Sequence, residues 1–283
     1  MKKKNSVGTV FIYVFLSVLA LFMLFPIIYT VASSFKTNSE ILAHPERIFP
    51  QNPTFDNYIT AWNAKNFSIK NMFTNSIIYT AVSVTITLFS SAMCGYVFER
   101  GEFPGRKTIF AIFCSLMFIS MGSITMYPYF EVLNFLNIEK SLYALLFIKV
   151  FGIPIVNIYL VRGFLSGIPR ELDEAAKIDG CGFVMIFLRI LLPLLQPILA
   201  TIAILSFQGS WNDYLMPMIF TMSKPMQRTL IVGVIALKTT DQAASAWNLM
   251  LAGSTVALLP VLVVYCIGSK YFVQGIAAGA VKG

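Results

Sequence analysis

Charge is the scarcest property of this sequence. Asp, Glu, Lys and Arg make up only 12% of its 283 residues, against about 25% in an ordinary soluble domain. There is a single histidine, His44, in a stretch punctuated by Pro45 and Pro50, and a lone imidazole excludes a histidine-based metal centre. The four cysteines, Cys94, Cys114, Cys181 and Cys266, have no C-x-x-C spacing. That argues against a zinc ribbon or dithiol redox site and for small, reduced, space-filling side chains. No G-x-x-x-x-G-K-[ST] loop occurs, and the basic, glycine-containing stretch Gly101 to Lys107 has the wrong spacing for one. No nucleophile–base constellation and no cluster of metal ligands stands out, which argues against an enzyme. The net charge of +8 is not gathered on an arginine-rich face with interleaved aromatics, so nucleic acid is not the expected partner.

What the sequence has in abundance is apolar length: 57% of it is hydrophobic. The expected class is all-α, a polytopic membrane protein with six transmembrane helices. The first apolar run, from about Val10 to Ala32 after Lys2, Lys3 and Lys4, is long for a signal-peptide core and suits a span. Residues 36 to 71 form a loop whose Pro45, Pro50 and Pro53 exclude a long helix. Within it Phe55, Tyr58, Ile59 and Trp62 fall on one helical face, with Thr54 as N-cap. This predicts a short helix lying on the membrane surface or offering a docking face. Further spans are expected over about Met72 to Phe98, Thr108 to Phe130, Ser141 to Val161 (broken by Gly152 and Pro154), Leu191 to Phe220, and Trp247 to Phe272. The apolar piece Leu230 to Leu237 is too short to cross.

Six spans put both termini on one side. Twelve Lys and Arg then fall on the loops shared with the termini and eight on the longer opposite loops, with Lys149 inside a span. The density of basic residues predicts a cell-membrane protein with both ends in the cytoplasm. The segment 169–190, between the fourth and fifth spans, is then cytoplasmic too. Pro169 suits a first helical position. Glu171, Asp173 and Glu174 favour the positive end of a helix dipole and Lys177 the negative end. Gly180 supplies a left-handed stop. A second helix follows, with Phe183, Ile186, Phe187 and Ile190 on one face, and Pro193 and Pro197 mark the entry to the fifth span. Ala175 and Ala176 have almost no reach, which on an exposed helix lets another surface come close.

These residues carry a resemblance. Glu174-Ala175-Ala176, three residues, Gly180, nine residues, Ile190, one residue, Leu192-Pro193 resembles the EAA signature of permease subunits of bacterial ABC importers, with every fixed position filled. Asp179 fits as well; Cys181 departs slightly from the commoner alanine. Ser33-Ser34-Phe35-Lys36, Ile168-Pro169-Arg170-Glu171-Leu172, Trp211-Asn212-Asp213-Tyr214 and the tail Gly275 to Gly283 are similar to the maltose-type (MalG-type) carbohydrate permeases.

The resemblance implies one transmembrane domain over 1–283, with its core at about 72–273, a coupling segment at 169–190 and a cytoplasmic tail at 274–283. It implies that Glu174, Ala175, Ala176, Asp179 and Gly180 dock on a separate ATPase, joined by Gly279 and Lys282 of the tail. The implied partners are a second related permease, two ATPase subunits, an extracytoplasmic solute-binding protein and membrane lipid. No cofactor is expected on this chain, with ATP and Mg on the partner ATPase. A substrate path needs polar groups within the spans, and the candidates are Trp211, Asn212, Asp213 and Tyr214 with Lys149, whose partner is either Asp213 or Glu131. The alternatives are an ABC permease for a polyol, glycerol phosphate or other solute, and an ion-coupled secondary transporter.

Overall fold

The computed structural model describes residues 6–64, 68–119, 124, 126–237 and 246–280, with side chains from Gly8 to Gly268. Lys282, and Lys2, Lys3, Lys4, Lys65 and Lys238 of the basic-residue argument, lie outside the described residues, as do 120–123 and 125 of the expected third span. The described residues contain helices and no strand. In order these are α1 (Ser6–Ser33), α2 (Asn38–Ala43), α3 (Asp56–Asn63), α4 (Ile69–Arg100), α5 (Arg106–Leu116), α6 (Met126–Phe135), α7 (Leu142–Val150), α8 (Ile155–Leu165), α9 (Glu171–Ile178) and α10 (Phe183–Ile186). A π-helical turn, Phe187–Leu191, then leads through α11 (Leu192–Leu194) to α12 (Gln196–Trp211), α13 (Leu215–Phe220), α14 (Leu230–Ala236) and α15 (Trp247–Ala280).

Among the described residues three helices are individually long and apolar enough to cross a bilayer: Gly8–Ser33, Ile69–Arg100 and Trp247–Gly268. Two bent pairs qualify as broken spans, α7 with α8 at 40° and Phe183–Leu194 with α12 at 76°. The first break is the expected one at Gly152 and Pro154. Ser141 opens α7 by accepting from the amide of Ala144. The expected third span is not one helix: α5 and α6 have 11 and 10 residues. The expected fifth span also differs. Its helix ends at Trp211, and Leu215–Phe220 is separate. The tail begins inside a helix, since α15 continues to Ala280 and takes in Gly279.

The chain forms two compact units, Met1–Met72 with Leu230–Leu259, and Phe73–Thr229 with Pro260–Gly283. In the first, α1 is apolar on all sides and exposes Phe11, Phe15 and Phe22 along its length. An apolar helix with no protein cover is a lipid-facing one. Its end is pinned by polar groups. The Asn57 amide donates to the carbonyls of Ser34 at 2.7 Å and Lys36 at 2.8 Å, and Asn248 donates to Asn57 Oδ1 at 2.7 Å. Lys36 is fully buried and its ammonium donates to the carbonyl of Arg47. The short helix predicted after Pro53 is α3. The N-cap is Phe55, which makes no side-chain cap, and not the expected Thr54; the Thr54 hydroxyl accepts from the amide of Asp56 at 3.1 Å from one residue farther out. Phe55, Ile59 and Trp62 stand exposed.

In the second unit α4 is the common wall. It contributes Tyr79 to a core with Leu133, Leu142, Leu145 and Phe220. It contributes Phe98 to a core with Phe110 and Ile158, and Ala92 and Tyr96 to a third with Val161, Leu165, Ala176, Ile186, Phe187 and Leu191. Gly95 lets α8 come close: a Cβ there would meet Val161 Cγ1 at 2.6 Å.

Candidate functional site

Two groups of polar residues stand out in the second unit. The first surrounds α9. Its acidic first turn, Glu171, Asp173 and Glu174, and its basic last turn, Lys177, complement the helix dipole. The helix closes in a complete Schellman turn. The Gly180 amide donates to the Lys177 carbonyl at 3.0 Å and the Cys181 amide to that of Ala176 at 2.9 Å. Gly180 sits at φ +81°, where a side chain is strained. The turn expected at Gly180 is therefore present.

The faces of α9 are unequal. Leu172, Glu174, Ala175, Lys177, Ile178, Asp179 and Gly180 are exposed, Ile178 to 87%. Asp173 and Ala176 are buried. Ala176 therefore differs from the exposed position assigned to it: its small size fits the core beside Tyr96 and Leu165. Sequence reasoning missed Leu172 and Ile178 as exposed apolar residues flanking the acid. The available signal was two aliphatic side chains on an otherwise polar, capped helix.

Sequence reasoning also missed what holds α9 in place. Arg100, the last residue of α4, lies with Nε 2.7 Å from Asp173 Oδ2, and the two side chains are 5% and 12% exposed. This is a charge contact without a directed hydrogen bond, since neither Arg100 Nε nor Asp173 Oδ1 has a hydrogen-bond partner among the described residues. Arg100 also donates to the Ile168 carbonyl at 2.7 Å. One turn earlier, the Tyr96 hydroxyl donates to the Phe183 carbonyl at 2.9 Å, and its ring lies over Phe183 and Phe187. Glu99 accepts from Arg162 Nε at 3.0 Å, while its carbonyl takes Arg170 at 3.3 Å. Removing one member of a buried ion pair costs about 3–5 kcal/mol, because the other charge is left uncompensated.

The second group joins α4, α7 and the break after α12. Asp213 Oδ2 accepts from the Tyr79 hydroxyl at 2.5 Å and lies 3.8 Å from Lys149 Nζ. Lys149 also donates to Ser83 at 3.3 Å and lies 4.2 Å from the centre of the Tyr79 ring. Of the two partners open for Lys149, Asp213 is the one in place. Lys149 lines a cavity of about 840 Å³ whose other walls include Ser83, Thr87, Tyr129, Phe151 and Met216. Trp211 is buried, 2% exposed, stacked on Phe207 and edge-on to Phe73. Its ring is enclosed by aromatic neighbours. Asn212 is exposed and Tyr214 half-buried. Among the described residues no cluster of His, Cys, Asp or Glu could hold a metal ion. Neither group places a nucleophile beside a base. What they offer is an exposed, capped helix at one place and an ion pair beside a cavity at another.

The model of the family described as binding-protein-dependent transport system inner membrane component matches residues 2–277. The arabinooligosaccharides transport system permease protein AraQ of Bacillus subtilis (strain 168) is 32% identical over 280 residues, 98% of this chain and 97% of its own. The inner membrane ABC transporter permease protein YcjP of Escherichia coli (strain K12) is 30% identical, with 99% of each chain covered. The melibiose/raffinose/stachyose import permease protein MelC of Bacillus subtilis (strain 168) is 34% identical over 83% of this chain and 84% of its own. A crystal structure of a bacterial ABC transporter involved in the import of the acidic polysaccharide alginate shares the fold. Its TM-score is 0.80 at 23% identity, covering 96% of this chain and 99% of that one. With the signature on a capped helix and a family match along nearly its whole length, the chain belongs to the inner membrane components of binding-protein-dependent transport systems.

Proposed function

We propose that the chain is the permease subunit of an ATP-driven importer that translocates a sugar or oligosaccharide delivered by an extracytoplasmic binding protein. The observation that carries the reading is that a fully filled EAA signature stands on α9, a short, capped helix whose Glu174, Ala175, Asp179 and Gly180 face outward. In this reading α9 is the coupling helix and lies in the cytoplasm. Six spans, the third built from α5 and α6, put both termini on that side. Its outer face docks on a separate ATPase subunit, which binds ATP and Mg, and Leu172 and Ile178 add apolar area to the contact. Gly279 and Lys282 reach the same partner from the tail. A second, related permease completes the path. Substrates named for the relatives, arabino-oligosaccharides and the melibiose group, support the sugar class.

The substrate-path candidates divide by geometry. Asp213 and Lys149 neutralise one another, and Trp211 is enclosed, so they shape the path from within. Asn212 and Tyr214 keep surface with which to meet sugar hydroxyls. An ion-coupled mechanism is not favoured, because the relatives are ABC permeases.

The test is uptake into proteoliposomes holding the assembled transporter, its binding protein and ATP. A charge-assisted contact is worth about 1.5–3 kcal/mol. Glu174→Lys should therefore lower ATP-driven uptake about tenfold or more. Uptake and ATP hydrolysis equal to wild type in Glu174→Lys would remove the docking role.

A further inference from the structure

Two polar sites of the second unit lie on one helix. Tyr79 and Ser83 of α4 hold Asp213 and Lys149. Tyr96 and Arg100 of the same helix hold Phe183, Ile168 and Asp173 around α9. α4 is unbroken over its 32 residues. From Tyr79 to Arg100 that is about 32 Å at 1.5 Å per residue.

The ties at the α9 end are of three kinds, and they act in different directions. The Arg100–Asp173 charge pair grips the side of α9 facing the core. The Arg100–Ile168 hydrogen bond grips the chain entering α9, and the Tyr96–Phe183 hydrogen bond the chain leaving it. α9 is thus held before, within and after its own length, by two residues one turn apart. Held so, it cannot slide or rotate against α4 without breaking a buried polar contact, and nearby packing adds to this. Ala176 sits in the same core as Tyr96, with no side chain long enough to hold the helices apart.

Resting on the transporter reading above, we propose that Arg100 and Asp173 form a strut that makes α9 and α4 move as one body. A displacement of α9 is then delivered through α4 to the Tyr79–Asp213–Lys149 group beside the cavity. Arg100, Asp173 and Tyr96 are positioning residues: they touch neither nucleotide nor sugar. Their office is to convert motion of the contact helix into motion of the membrane helix. Coupling through a structure needs a continuous packed or bonded path, and α4 with these ties is one.

The strut predicts a distinctive defect, in which ATP is spent and sugar is not moved. In the assembled, reconstituted transporter, Asp173→Asn should keep the ATPase subunits bound and hydrolysing. Sugar moved per ATP should fall about tenfold, within the range usual for coupling between sites. Asp173→Glu, which keeps the charge, should recover part of the loss. Tyr96→Phe removes only a hydroxyl, so it tests the same tie with little risk to folding, and it should show a smaller fall in the same ratio.

A second measurement reads the rigid body directly. Spin labels at Lys177→Cys, outside the proposed ATPase contact, and Phe89→Cys, both exposed positions, are placed in a background lacking the four native cysteines. They should keep one narrow distance with and without ATP in the otherwise wild-type transporter, and a broadened one in Asp173→Asn. Unchanged sugar per ATP and unchanged distance in both Asp173→Asn and Tyr96→Phe would overturn the strut. So would loss of assembly in both variants without recovery in Asp173→Glu, since the contacts would then serve folding alone. If the wild-type complex takes up no sugar with ATP, it is the transporter reading that fails, while the distance measurement still decides whether α9 and α4 are one body.

Discussion

At the residue scale, two glycines two residues apart separate conformational need from space. Gly180 sits at φ +81° and Gly182 at φ −73°, and a Cβ would meet nothing within 4 Å at either. Sterics of the surroundings are therefore equal, and only the backbone differs. A left-handed conformation costs an L-residue about 1–2 kcal/mol. Gly180→Ala should lower stability by that amount and Gly182→Ala by well under half of it, read by thermal unfolding of the purified protein. Tyr79 makes a second case. Its hydroxyl donates to an ionised carboxylate at 2.5 Å, and Tyr79 itself is fully buried. Hydrogen bonds to charged groups contribute about 1.5–3 kcal/mol. Tyr79→Phe should cost that much in the same unfolding measurement, and a loss below 0.5 kcal/mol would show that Lys149 alone satisfies Asp213. The stop at Gly180 was legible in sequence because a cap is local: the glycine, the preceding charges and the periodicity lie within a dozen residues. Tyr79 with Asp213 and Arg100 with Asp173 were not, because each pair joins residues far apart along the chain. The same cause hid the inward turn of Ala176, whose neighbours Tyr96 and Leu165 come from other helices.

At the element scale, helix type was easier to foresee than helix ends. The break at Gly152 and Pro154 was visible because proline removes a donor and glycine weakens a helix. The end of α12 at Trp211 was not. The run from Leu191 to Phe220 is apolar on both sides of Asn212 and Asp213, so composition continues across a break that Asp213 anchors through its distant partners. The split of the third span into α5 and α6 escaped although Gly122, Ser123 and Pro128 interrupt its apolar run, since hydropathy stays high enough across them to read as one crossing. The short helix α3 shows what periodicity does well. Of the four residues expected on one face, Phe55, Ile59 and Trp62 point outward, while Tyr58 is half-buried with its hydroxyl 2.6 Å from Ser34 Oγ, and Asn57 and Ala61 turn inward. An exposed apolar face on so short a helix is best satisfied by lipid at the membrane surface. A nitroxide at Ile59→Cys should then relax faster with oxygen, which concentrates in lipid, than with a water-soluble nickel complex. One at the adjacent, exposed Thr60→Cys should show the reverse. Equal exposure of both labels to nickel would place the face in water and return α3 to the role of a protein-docking surface.

For the whole molecule, the number of spans decides where everything else lies. Among the described residues three long helices and two bent pairs make up to five crossings. Five would put the termini on opposite sides, and α9 would lie on the side of only one of them. The sixth depends on α5 and α6. At 1.5 Å per residue they supply about 16 and 15 Å, together the roughly 30 Å of a bilayer core. Neither is long enough alone, so they complete a crossing only as successive parts of one path. Charge provides the second constraint. Arg100 precedes α5 and Arg106 and Lys107 open it, while Glu131 and Lys140 follow the start of α6, and a dense basic cluster prefers the cytoplasmic face. Six spans therefore predict that Ile178→Cys, in a chain without its native cysteines, reacts with a membrane-impermeant maleimide in inside-out vesicles and not in intact cells. Tags added at the two ends should share that behaviour, and Phe55→Cys should do the opposite. Tags on opposite sides would mean an odd number of crossings and would dissolve the third span into two helices that enter and leave by the same face. Ile178→Cys labelled from outside would be the graver result, because it would put the exposed face of α9, proposed above to dock on an ATPase, on the wrong side of the membrane for that role.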